Sequence, residues 1–125
     1  MLPKLDTPYV LFEIKNNILF ATYKKGLQID LSMAKEIVKQ RLEFMKGREL
    51  PVIVFDDGVI SISKEARDFL GSAEGNKNLK AGAIMKSTPV ARAISSFFLF
   101  VTRPSIPAKA FTDVDAALEW LSKFI

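Results

Sequence analysis

The sequence predicts an α/β domain: a mixed, largely parallel five-stranded sheet with four helices, in the order ββαβαβαβα. Three observations carry this. Two runs rich in β-branched and aromatic residues, YVLFEIK and ILFATY, flank Asn16-Asn17, as a hairpin requires. A helix-period segment then leads to the short apolar run Val52-Ile53-Val54-Phe55, suited to a strand covered on both faces. Helical and strand patterns alternate from there to the end, which implies parallel strands with helices packed on them.

Taken in order, Asn16 and Asn17 both tolerate positive φ, so a tight type I′ turn joins the first two strands, residues 9–15 and 18–23. Asp30 or Ser32 offers an N-cap to the first helix, where Ala34, Ile37, Val38, Leu42 and Met45 fall on one face and Gly47 ends the run. Leu50-Pro51 leads into the central strand. After FDDGVISIS, KEARDFL reads as a short helix with Ala66, Phe69 and Leu70 inward, and GSAEGNKN is a loop of breakers before the strand LKAGAIMK. Thr88-Pro89 starts a helix that runs through PVARAISSFFLFV to Arg103-Pro104, since proline at the first helical position gives up only an N–H that has no helical partner. Pro107–Phe111 is an edge strand, because proline cannot donate within a ladder. Thr112 caps the last helix, whose first turn places Asp113 and Asp115 at the positive end of the dipole.

At 125 residues the chain suits one domain, 1–125, with a hydrophobic core. It contains no cysteine, which excludes disulfides, thiolate catalysis and cysteine-ligated metals, and no histidine, which removes the usual general base and the commonest transition-metal ligand. Neither a cofactor nor an enzymatic role is expected from what remains. The net charge of +4 is spread along the chain, with Lys24-Lys25 the only adjacent basic pair, so the charge reads as a solvated surface rather than a nucleic-acid footprint. No apolar run reaches the roughly 20 residues of a membrane span, and MLPKLDTPYV lacks a signal-peptide core, so a cytoplasmic protein without stable membrane insertion is expected.

Two segments carry functional information. In the first, FDDGVISISKEAR, Ser63 has two readings: an N-cap for the helix that follows, and a phosphosite whose phosphate would meet the helix N-terminus beside Lys64 and Arg67. Asp56-Asp57-Gly58 stands at the carboxyl end of a strand, where α/β proteins bind ligands and where carboxylates suit magnesium. LKAGAIMK, however, ends in Lys86 and Ser87 and brings no second acidic cluster, so an Asp-Gly turn is the favoured reading and no metal site is expected. The second segment is Phe97-Phe98-Leu99-Phe100-Val101. Five consecutive apolar residues cover every side of a helix, so one sheet-facing stripe cannot bury them all. Burial against the core and the helix around Trp120, an oligomer or partner interface, and the wall of an apolar ligand pocket all answer that surplus.

The order of elements resembles the STAS domain of sulfate transporters and anti-sigma-factor antagonists, and more closely the SpoIIAA-like bacterial proteins. The residues behind the resemblance are VIVFDDGVISISKEARDFL, AGAIMKSTPVARAISSFFL and IPAKAFTDVDAALEWL. In the antagonist branch a serine at the start of the short helix is phosphorylated by a partner kinase. Matching by position sets Asp56 at the acidic strand end and Ser63 at the cap, with Lys64 or Glu65 where the phosphorylated serine would stand. The Asp-Ser-Ser-Gly pattern of that branch is missing here, and Ser61 and Ser63 are the nearby substitutes.

The resemblance implies a non-enzymatic protein-interaction or regulatory module. Its partner-binding or phosphosite residues would be Asp56, Asp57, Gly58, Ser61, Ser63 and Lys64, with a regulatory protein as partner. Self-association into a homo-oligomer is expected through Phe97, Phe98, Phe100 and Val101. The alternative is a carrier of a small apolar, lipid-like or anionic ligand, in keeping with the related architecture of the SEC14-like lipid carriers.

Overall fold

The computed structural model describes residues 3–56, 58–86 and 105–125. Its main sheet has six strands in the order β1-β2-β3-β5-β7-β8: β1 (Lys4–Asp6), β2 (Val10–Lys15), β3 (Ile18–Tyr23), β5 (Leu50–Phe55), β7 (Leu79–Met85) and β8 (Ala108–Phe111). β1, β2 and β3 pair antiparallel, whereas β3, β5, β7 and β8 are successively parallel. A second ladder of two residues per strand joins β4 (Gln28–Ile29) to β6 (Ser61–Ile62) in parallel. The helices among the described residues are α1 (Leu31–Met45), α2 (Lys64–Leu70) and α3 (Val114–Leu121), the last continued by a 3₁₀ turn, Ser122–Phe124.

The largely parallel α/β reading therefore holds, with corrections of count. Among the described residues the main sheet has six strands rather than five, because Lys4–Asp6 adds an outer strand whose two exposed charged ends suit a sheet edge. The helix expected over residues 89–101 lies outside the described residues. Asn16 and Asn17 take φ of +52° and +63°, the two positive values of a type I′ turn, and set Lys15 opposite Ile18. Pro51 sits where the β5–β7 register shifts between Leu50 and Val52, a bulge that accommodates its missing N–H. β8 forms the edge, as Pro107 implies, and the Pro107 carbonyl accepts from the Gly82 N–H at 2.9 Å.

The sheet is covered on both faces. On one, α1 packs Ile37 and Met45 against Phe12, Leu19, Ala21 and Val52. On the other, α3 packs Ala117 and Leu121 against Ile18, Ile53, Ala81 and Ala83. β5 faces both layers, which explains its unbroken apolar run, whereas β2 alternates buried and half-buried residues. Trp120 is half-buried between Phe111 and Phe124, with ring centroids 5.7 and 5.0 Å away.

Capping chemistry sets the helix ends. The Asp30 carboxylate accepts from the Met33 N–H at 2.8 Å and starts α1; Lys46, at φ +52°, closes it with an N–H to the Leu42 carbonyl, and Gly47 follows at φ +81°. α3 is capped by Asp113 instead of Thr112, its carboxylate accepting from the Asp115 N–H at 3.1 Å; β8 ends at Phe111 as expected, but Thr112 lies in a bend between strand and cap.

Candidate functional site

Asp56 follows the last residue of β5, and Lys86 follows the last residue of β7, the neighbouring parallel strand. The two side chains are therefore brought together and form an ion pair, both largely shielded from solvent. The strand-end carboxylate is held by a lysine from the adjacent strand. Asp57 lies outside the described residues, as do Phe97, Phe98, Phe100 and Val101.

The segment from Gly58 to Ser63 leads from the strand end to the cap of α2. It is strapped to the segment before α1: Gly26 N–H to the Gly58 carbonyl at 2.8 Å, Ile60 N–H to the Leu27 carbonyl at 2.8 Å, and Ser63 N–H to the Ile29 carbonyl at 2.9 Å. Gly58 is needed for this approach, since a Cβ there would stand 2.9 Å from the Lys25 Cα. Ser61 is exposed on β6. The Ser63 hydroxyl accepts from the Ala66 N–H at 3.1 Å, the N-cap geometry, and starts α2. Lys64 is exposed and pairs with Asp68 one turn on, at 2.9 Å; hydrogen bonding to that carboxylate raises the lysine pKa. Ile60 is 66% exposed, a large apolar side chain presented at the crest of the strapped loop.

Sequence reasoning missed the feature under α1. Arg41 occupies the apolar face of the helix and is only 5% exposed, whereas Leu42, expected there, is half-buried. The guanidinium donates to the Gly75 carbonyl at 3.1 Å and contacts the Met45 sulfur at 3.0 Å, and among the described residues no carboxylate lies within ion-pair distance of it. Gly75 makes this possible: it packs so tightly under α2 that a Cβ would fall 2.0 Å from the Phe69 carbonyl oxygen. Burial presses the Arg41 pKa below its ordinary value, partly offset by Tyr23. The Tyr23 phenol is pushed up to about 12, first by burial and then by the nearby Asp56 charge.

Arg41, Tyr23 and Asp56 share one cavity of about 190 Å³ between the sheet and α1. Its remaining wall is largely apolar, with Phe12, Val52, Val54 and Ile84 from the sheet and Ile37 and Val38 from α1. The signal for Arg41 was present in the sequence as a charged residue at position 41, seven residues after Ala34 and four before Met45, on the stripe that the other buried positions define.

The model of a domain family of unknown function, DUF7793, matches residues 12–125. The chain belongs to that family. A search of curated proteins finds no match. Among solved structures, an uncharacterised protein of the DUF3478 family from Shewanella loihica PV-4, whose crystal structure has a SpoIIAA-like fold, aligns with a TM-score of 0.58 at 13% identity. The alignment covers 97% of this chain and 92% of that one. The SpoIIAA-like fold expected from the sequence is thus shared. No helix among the described residues is long and apolar enough to cross a membrane.

Proposed function

We propose that this chain is a non-enzymatic, STAS-like interaction module that meets a regulatory protein partner through the loop and helix start at residues 56–67. The observation that carries this reading is Ile60, 66% exposed beside exposed Ser61 and Lys64, on a loop whose backbone is already bonded to residues 26–29. An ordered loop pays less entropy on docking, and an exposed apolar residue within a polar rim has the composition of an interface centre. Self-association through Phe97, Phe98, Phe100 and Val101 belongs to the same proposal and rests on their sequence.

The test is a photo-crosslinking residue at position 60 in the host cell, with one at exposed Lys39 on α1 as control. A discrete protein adduct specific to position 60 is expected; the same adduct pattern from both positions would refute the assignment.

A second reading, carriage of a small ligand, is favoured by one observation: the apolar cavity that holds buried Arg41.

A further inference from the structure

We propose that the cavity beneath α1 is a binding site for a small monocarboxylate with an apolar tail, its carboxylate held by Arg41 and Tyr23 and its tail lying against Phe12, Val52, Val54 and Ile84. The inference rests on the ligand-carrier reading and names the ligand class.

The first argument is charge. A buried cation is costly unless it is paired, and hydrophobic residues of similar volume usually serve a core at least as well. Arg41 is 95% buried, yet its protein partners are a carbonyl and a thioether, both neutral. A guanidinium has five N–H donors in a planar fork matched to a carboxylate, and two are used here, which leaves three for an incoming anion. Tyr23 lines the same cavity, and its phenol offers a neutral donor.

The second argument concerns the number of charges. Asp56, the cavity's carboxylate, is paired with Lys86, and among the described residues it makes no ion pair with Arg41, the cation that lines the cavity. A single negative charge balances it; a second would stand against Asp56 in a weakly screened space.

The third is size and polarity. Cavities of about 150 Å³ hold benzene, or about 25 Å³ per non-hydrogen atom, so about 190 Å³ holds about eight such atoms. Hexanoate has that size. Gly82 also lines the cavity, and among the described residues a Cβ built there meets only Val52, at 3.7 Å, an ordinary contact.

The experiment is isothermal titration of the full chain with straight-chain carboxylates from butanoate to octanoate, and with hexan-1-ol as the uncharged probe. Saturable binding of hexanoate at one site per chain is expected, at least tenfold tighter than hexan-1-ol, with Arg41→Met removing the difference. Gly82→Ala, which keeps Arg41 and adds one methyl to the cavity, should shift the best chain length down by about one carbon. Equal binding of hexanoate and hexan-1-ol would overturn the anion assignment while leaving the carrier reading standing. Binding of neither would overturn both, and a Gly82→Ala profile identical to wild type would place the ligand outside this cavity.

Discussion

Replacing Gly82 by alanine should stabilise the protein, although glycine is often kept because nothing larger fits. Gly82 is buried within β7, its φ is not in the left-handed region, and an added Cβ makes an ordinary 3.7 Å contact with Val52. Loss of unfolded-state freedom contributes about 0.4–1 kcal/mol. The methyl, buried against the cavity wall, contributes up to about 0.8 kcal/mol more. Together they come to about 0.4–1.8 kcal/mol. For a chain of this length the unfolding entropy is on the order of 0.26 kcal/mol per kelvin, so Tm should rise by about 2–7 °C. Urea unfolding followed by circular dichroism, with differential scanning calorimetry, measures both. A midpoint that falls, with the m-value unchanged, would mean that the space above Gly82 is filled, and it would remove the cavity on which the ligand assignment depends.

Ser63→Ala should cost about 1 kcal/mol of stability, while Ser63→Asp, which keeps an accepting oxygen for the Ala66 N–H, should stay within a few tenths; urea midpoints separate the two. Gly58→Ala should destabilise by about 1–3 kcal/mol, because the new Cβ must push the Lys25 backbone away and loosen the strap, with faster amide exchange at Ile60 and Ser63 as the local readout. Tyr23 has a folded pKa raised to about 12 against an ordinary 10, so its contribution to stability is complete below pH 10 and is lost as the pH rises through 12. Wild type should therefore lose stability across that window at up to about 1.4 kcal/mol per pH unit more steeply than Tyr23→Phe in paired urea titrations. Size-exclusion chromatography with light scattering should give a multiple of 14.0 kDa for wild type and a folded monomer for a Phe98→Asp, Phe100→Asp double variant; a wild-type monomer would refute self-association.

Local chemistry was readable where it acts alone. Two asparagines with positive φ, an aspartate and a serine at helix starts, and an apolar run in the middle of the sheet each carry their own signal. The β4–β6 ladder was not readable, because two residues per strand show no periodicity and the pairing depends on Gly58 meeting Lys25 across more than 30 positions. The last cap fell one residue from its expected place because Thr112 and Asp113 are consecutive cap formers, and the sequence pattern alone does not choose between them. Of the candidate site, Asp56 and Ser63 were identified from sequence, the first as a strand-end carboxylate and the second as a cap. The Lys86 pairing required knowing that β5 and β7 are neighbours, and the environment of Arg41 required Gly75 to bring a carbonyl from a loop 34 residues away.

A crystal of the full chain grown with 5-bromopentanoate and measured at the bromine absorption edge would test the central claim most directly. The account places one anomalous peak in the cavity near Val52 and Ile84, with the carboxylate on Arg41. Full occupancy elsewhere on the molecule, with the cavity empty and Arg41 bonded as before, would contradict it.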